Sequence, residues 1–504
     1  VAGLPIGAGS LRQVVLLVAV LTLIRLAAAA VLGLAADEAY YWTWSRHFSP
    51  GYFDHPPMVA WLIRLSTLTG HGPLDIRWLS VLLGALASLG VWRLVIRLTD
   101  DARAALAGAG LVQATLFLGA GAVLVTPDTP LVLFWTLALL ALAEVWRTGK
   151  GAWWLAVGLC VGLAFISKYT AVFLGLGILL WLAAVPELRR WFRSPWPYAG
   201  GLACLAVMAP VVAWNLGQGG ASLTKQFGRA VPQAFDPRFV PEFLAGQVAL
   251  LTPLIGILVA WGLWVVMRAT LRGRDPAAVL VTATTLPLLA YLVWYGLFDR
   301  VQGNWTACLL PACIAAAVMG ARVTPPGWLA PVWRLSWRHG LWTGVALGLL
   351  VIAHAALRLV PFATDPTAQL HGWREAASLI DEIGRARGAG AIGAVSYTTT
   401  AHLRFHAPGS LPVVQLNERE RYAFEPEPDA AALRARPILV AVEGRRVAAA
   451  EAALGARFGQ VQRVGTVDRL WSSPLWGAQV VDRLALFLVS APSGEGFPVI
   501  GPAR

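Results

Sequence analysis

The stretch 37-DEAYYWTWSRHFSPGYFDHPP-57 lies between two long apolar segments. It begins with two adjacent acids, Asp37 and Glu38, directly after the first apolar segment. Tyr40, Tyr41, Trp42 and Trp44 follow at a spacing that predicts an amphipathic helix lying in a membrane interface. Pro56 and Pro57 cannot sit inside a helix, and they push His55 toward an extended conformation. The chain therefore turns sharply here and presents Asp54 and His55. Each feature also has a plain structural reading: aromatic anchors, solvated acids, a proline turn. An acid at the edge of a membrane segment is costly, however, and calls for a further reason.

Working outward, the 504-residue chain is 57% hydrophobic and only 13% charged, whereas soluble chains are about a quarter charged. The excess comes in blocks of spanning length, at 12–34, 74–96, 104–125, 130–146, 152–167, 170–185, 198–214, 243–267, 277–298, 305–321 and 340–360. This predicts a mainly α, polytopic transmembrane helical bundle of about eleven spans. The first segment reads as an uncleaved anchor, because the polar motif starts right after it. The formal net charge of +13 comes mostly from arginines between the apolar blocks. That pattern sets membrane orientation and speaks against a nucleic-acid partner. Cys160, Cys204, Cys308 and Cys313 sit in apolar stretches without a CxxC spacing and read as small buried hydrophobes.

Arginine-rich loops alternate with polar, acid-bearing ones. The positive-inside rule puts the first set and the N-terminus in the cytoplasm, so nearly every unusual polar residue faces outward. After about Pro361 charges become frequent. Helical spacing at 372–387 and short apolar runs at 391–397, 437–444 and 484–491 predict a small C-terminal α/β domain. The expected division is a transmembrane domain over 1–360, with a first outer loop at 35–73, and an extracytoplasmic α/β domain over 361–504.

Two more outward stretches carry polar groups. In 126-TPDTP-130, Asp128 lies in a very short turn, where it could also cap the next helix. In 167-SKYT-170, Lys168 is a lone cation in apolar surroundings with Tyr169 beside it. Snorkelling would explain the lysine, but its outward position runs against the charge bias and favours an anionic partner. Carboxylates, a histidine and a lysine at one level of a membrane suit sugar transfer from a lipid phosphate. A carboxylate takes the proton from the acceptor hydroxyl, and cations stabilise the departing phosphate. An inverting displacement needs one such base rather than a nucleophile pair.

The runs DEAYYWTWSRHFSPGYFDHPPMVAWLIRL, TPDTPLVLFW and GLAFISKYTAVFL, in this order, resemble the GT-C polytopic glycosyltransferases. They are most similar to the bacterial protein-mannosyltransferase-like group (glycosyltransferase family 39), which includes the aminoarabinose lipid A transferase. The stretches QGNW at 302–305 and DPTAQLHGWREAA at 365–377 resemble the same group. The resemblance implies a GT-C-like fold, a polyprenyl-phosphate sugar donor, a cell-envelope acceptor that is lipid A or its core, a glycan or a protein, and an active site at the outer face of the inner membrane. It makes Asp37 the candidate base, with Glu38 next, and matches Asp128 to an acid after the third span. Lys168, His55 and Tyr169 become candidates for the donor phosphate, and Tyr40, Tyr41 and Asp54 for substrate. In this sequence His55 stands where those enzymes have a lysine, a departure at the phosphate contact. Asp54 and His55 are also the candidate ligands should a divalent metal be used; no other cofactor is implied.

Other patterns carry less. The run 388-GAGAIG-393 fits a dinucleotide fingerprint formally, but it leaves a helix and enters a strand, the reverse of what that site needs. His402 and His406 share a helical face without an HExxH motif. The competing reading is a lipid or polysaccharide transporter, for which repeated halves and midplane charges are expected. No repeat is visible, and the polar clusters gather at one face.

Overall fold

The computed structural model describes residues 11–228, 234–273, 275–362, 364–407, 409, 411–494 and 498–500. By their contacts the residues group into two units. One holds Val1–Ala29, His55–Leu62 and Arg77–Ile352; the other holds Ala30–Asp54, Ile63–Ile76 and Ala353–Arg504.

The first unit is helical. Among the described residues of the chain, eight helices are long and apolar enough to cross a membrane. They are Leu11–Val31, Pro73–Thr99, Asp128–Thr148, Pro195–Gly217, Pro253–Gly273, Pro276–Tyr295, Gly303–Gly320 and Ala330–Leu357. Two bent pairs raise the count to ten. Ala102–Gln113 with Leu116–Val123 bends by 68°, and Tyr169–Ala184 with Pro186–Arg193 by 113°. The expected eleven spans thus become eight to ten. The shortfall has a physical cause: the apolar helix Trp153–Ser167 has fifteen residues, about 22 Å, against a hydrocarbon core of about 30 Å. That helix packs closely on Pro195–Gly217. A Cβ on Gly158 would run into the Gly200 carbonyl, and one on Gly162 would lie 2.8 Å from Val207. Small residues four apart let two backbones approach in this way, replacing the hydrophobic drive that lipid removes. The unit's interior is built around Trp135 and Trp181, both fully buried, with Leu174, Leu258 and Ile314.

The second unit contains a five-stranded mixed sheet of order β2-β1-β3-β5-β4. Its strands are β1 (Ala391–Ala394), β2 (Val413–Gln415), β3 (Ile438–Glu443), β4 (Phe458–Ser473) and β5 (Gly477–Pro492). β1 runs parallel to β2 and β3, with Ile392 opposite Val413 and Leu439. β5 is antiparallel to β3 and forms a long hairpin with β4. β3 is buried along its whole length, as a central strand covered on both faces must be. The helices Trp373–Ala386, Tyr397–His406 and Val447–Gly455 cover the sheet. In the same unit, residues 36–46 form the helix expected from the opening stretch. Its aromatics were expected to anchor in lipid. Instead Tyr40, Tyr41 and Trp44 are buried in protein, because this unit supplies aromatic partners. Trp44 stacks on Tyr52 at 4.5 Å, and Tyr40 meets Tyr397 at 5.1 Å and Tyr422 at 5.8 Å.

Candidate active site

Two polar clusters emerge, one in each unit. The first is built on the helix Ala36–Arg46. Glu38, third in that helix, reaches back to accept from the Ala35 amide at 2.9 Å and is buried. It closes the helix start, as a capping-box glutamate does. Asp37, one residue earlier, points elsewhere. Its Oδ1 accepts a 3.0 Å hydrogen bond from Tyr397 Oη, and among the described residues no bond to Oδ2 is seen. Tyr397 opens the helix that follows β1, with Ser396 capping it.

Asp54 is buried nearby. Its Oδ2 accepts from Arg421 at 2.6 Å and lies 3.0 Å from Tyr40 Oη. Tyr40 Oη also lies 2.9 Å from the Arg421 carbonyl. Arg421 in turn reaches Glu418 at 3.2 Å and lies 4.7 Å from the Tyr397 ring. One arginine thereby serves two carboxylates and a ring. Burial opposes its charge, but Asp54 and Glu418 outweigh that, and its pKa is raised.

Asp37 has the opposite environment. It is exposed on one side, but protein crowds the rest of the carboxyl. Desolvation raises its pKa above the ordinary carboxylate value, and the charges of Asp54 and Glu38 add to the rise. The Tyr397 bond and Arg421 pull the other way. A reachable carboxylate with one oxygen held and a raised pKa is what a general base requires.

The second cluster is built on helix ends of the first unit. Asp128 opens the helix Asp128–Thr148, and Lys168 closes Trp153–Ser167. Their side chains meet at 2.7 Å with only 8% and 7% of each residue exposed. Asn304 donates to the other Asp128 oxygen at 2.7 Å. Lys168 adopts an extended backbone, so Tyr169 departs in another direction. Tyr169 Oη accepts from Asn215 at 3.1 Å and pairs with Ser222 at 3.2 Å. It stands in that network rather than at the ion pair.

Of the expected site residues, Asp37, Glu38, Tyr40 and Asp54 come together, with Tyr41 packed 6.2 Å from the Tyr40 ring. Asp128 and Lys168 come together separately. His55 is half-buried ahead of the helix Met58–Ser66. Tyr397, Arg421 and Asn304 were not foreseen; only QGNW hinted at Asn304. The cluster does not fit a metal. Asp54 already faces the Arg421 cation, and among the described residues no three His, Cys, Asp or Glu side chains are gathered to hold an ion. His402 and His406 serve packing instead, His402 stacking on Trp373 at 4.2 Å.

Comparison with known proteins follows the same lines. Residues 54–214 match the family model described as dolichyl-phosphate-mannose-protein mannosyltransferase. A lipid A galacturonosyltransferase, RgtD of Rhizobium johnstonii, is 28% identical over 333 residues. That match covers 65% of this chain and spans 65% of the relative's length. The crystal structure of ArnT from Cupriavidus metallidurans bound to undecaprenyl phosphate aligns with a TM-score of 0.65 at 15% identity, over 95% of this chain and 98% of that one. The apo state of the same protein aligns at 0.64 with 17% identity, over 94% and 98%. With eight to ten apolar helices of spanning length among the described residues and a small mixed-sheet unit, the chain shares its fold with these ArnT structures.

Proposed function

We propose that the protein is a membrane glycosyltransferase moving a sugar from a polyprenyl-phosphate donor to a cell-envelope acceptor of the lipid A class. The reaction takes place at the outer face of the inner membrane. The observation that carries this reading is Asp37: reachable, held through one oxygen by Tyr397, and desolvated enough to raise its pKa. The lipid A galacturonosyltransferase relative supports the acceptor class and puts a uronic acid among the donor sugars. The undecaprenyl phosphate bound by the ArnT structure supports the donor class.

In this reaction the acceptor hydroxyl oxygen attacks the anomeric carbon while Asp37 takes its proton. The bond from that carbon to the phosphate oxygen breaks, and its electron pair leaves with polyprenyl phosphate. A single displacement inverts the anomeric centre. Lys168 has three N–H donors; Asp128 takes one and fixes the side chain, and the others meet the phosphate as its charge grows. We assign His55 to the same group, and Tyr40, Tyr41 and Asp54 to the substrate. The N-terminus lies in the cytoplasm. The transmembrane part, 1–360 with its outer loop at 35–73, works with an extracytoplasmic domain over 361–504.

The test uses protein in nanodiscs with a panel of polyprenyl-phosphate sugars, including galacturonate and aminoarabinose, and a lipid A acceptor. One donor should bind and release polyprenyl phosphate, and Asp37→Asn should bind it without turnover. Absence of donor binding, together with lipid or glycan flux in proteoliposomes, would assign the chain to transport instead.

A further inference from the structure

The β4–β5 hairpin ends in a three-residue tip, Pro474-Leu475-Trp476, closed by Gly477 at φ +69°. A tip between polar strands is normally polar, yet Leu475 and Trp476 are 59% and 49% exposed. The tip is also fixed in place. Ser473 Oγ donates to the carbonyl of Leu357, the last residue of the helix Ala330–Leu357, at 2.7 Å. Four residues earlier, Arg469 Nη1 donates to the carbonyls of Ala368 and His371, both at 2.8 Å. Between them Trp471 is buried, stacked on His371 at 4.0 Å with the Arg358 guanidinium 5.1 Å from its ring. These bonds tie the hairpin to the segment that leaves the last span.

Leu357 marks a membrane boundary. Arg334 and Arg338 lie in the first third of its helix. The eighteen residues from Gly340 to Leu357 contain no Asp, Glu, Lys or Arg, enough for about 27 Å of helix against a core of about 30 Å. Leu475 and Trp476 are two and three residues from Ser473, so they lie within about 10 Å of that boundary whichever way the tip points. The headgroup zone is about 5–8 Å deep on each side, and Trp is the residue that favours it. Val360 and Phe362, just past the span, are exposed as well at 47% and 54%. Higher up, the hairpin turns charged, with Arg483 and Asp468 paired across the strands at 2.6 Å.

We propose that the β4–β5 tip is a membrane anchor: Leu475 and Trp476 insert among the lipid headgroups and hold the sheet domain to the bilayer surface. The partner is lipid itself, met by apolar area and an indole rather than by a headgroup-specific pocket. The proposal rests on the spanning helix Ala330–Leu357, not on the proposed reaction.

The test places a photoreactive benzoyl-phenylalanine at 475, 476 or the exposed mid-strand position 462 of the full chain, in nanodiscs of one phospholipid. After irradiation, mass spectrometry should find phospholipid adducts at 475 and 476 at least several-fold above those at 462. Adducts at 475 and 476 no more frequent than at 462 would overturn the proposal, since the tip would then face water.

Discussion

The ion pair Asp128–Lys168 invites a decisive perturbation. The two groups meet at 2.7 Å with side chains 11% and 9% exposed, and Asn304 completes the carboxylate. Lys168→Met keeps the length of the side chain and removes the charge. Asp128 then remains buried with one neutral donor, a situation that costs about 3–5 kcal/mol. Asn304→Ala removes one hydrogen bond to a charged group and should cost about 1.5–3 kcal/mol. In Lys168→Met/Asp128→Asn no charge is left unpaired, so most of the loss returns and the two substitutions couple by up to about 3 kcal/mol. Reversible unfolding in mixed detergent micelles measures the native protein, Lys168→Met, Asp128→Asn, their double variant and Asn304→Ala. Donor binding separates fold from function. The double variant should regain stability yet bind polyprenyl-phosphate sugar at least about tenfold more weakly, because a charged hydrogen bond to phosphate is gone. A Lys168→Met protein within about 0.5 kcal/mol of the native one, or strictly additive substitutions, would refute the buried-pair reasoning. Full donor affinity in the double variant would refute the phosphate role alone.

Other expectations follow from the same geometry. Asp37→Asn should lower kcat by about 10²–10⁴ with donor affinity kept. Folding raises this carboxyl's pKa above 3.8, so its ionised form costs stability at neutral pH, and melting of the variant should occur no lower than that of the native protein. Tyr397→Phe removes a bond that favours ionised Asp37, so the acid limb of the kcat/KM profile should move to higher pH; an unmoved limb would show that Tyr397 does not tune the base. Burial holds His406 at a pKa of about 4 and His402 well below 6.5, with Arg374 adding to the first and Arg469 to the second. The unfolded chain therefore binds more protons below pH 6.5, and the sheet domain should lose stability as pH falls from there toward 4, by an amount on the order of a few kcal/mol. His402→Phe, which keeps the stack on Trp373, should flatten that slope in a pH series of melting curves. A reporter fused at the C-terminus should read as extracytoplasmic, and a cytoplasmic signal would reverse the proposed orientation.

What the sequence showed and what it hid have physical explanations. Apolar blocks mark helices because lipid allows little else, and β1, β3 and part of β5 are apolar runs because they lie inside the sheet. β4 escaped notice because it is an edge strand whose exposed positions carry Gln460, Gln462 and Arg463, leaving no apolar run to see. β2 is three residues long. The helix at 36–46 was legible from spacing, but spacing cannot tell a face turned to lipid from one turned to Tyr397 and Tyr422. The ion pair joins residues forty apart, and Asn304 comes 176 positions after Asp128. No local pattern encodes such distances; only the habit of polar groups gathering at helix ends suggested the first two. Tyr397 and Arg421 lie more than 350 residues beyond the acids they serve. Arg421 sits in the run NERERY, which reads as a solvated loop until the fold is known.

The fold also sorts the acids that the sequence could only rank. Glu38 is engaged by the Ala35 amide and closes a helix. Asp54 is paired with Arg421 and bonded by Tyr40 through the same oxygen, so that oxygen is engaged by protein rather than offered to a substrate. Asp128 is saturated by Lys168 and Asn304. Only Asp37 combines reach, a free lone pair among the described residues and a raised pKa. The others matter to it indirectly: Asp54 raises the Asp37 pKa by repulsion, and Arg421 lowers it. Removing Arg421 would therefore do more than break an ion pair. It would strand Asp54 and take away the cation that offsets the repulsion of Asp54 and Glu38 on Asp37. Arg421→Gln should on that account raise the pH needed for turnover, as Tyr397→Phe does, and Arg421→Gln/Asp54→Asn should bring it back. That rescue is the outcome expected if the cluster acts on one base, and its absence would mean that the base lies elsewhere.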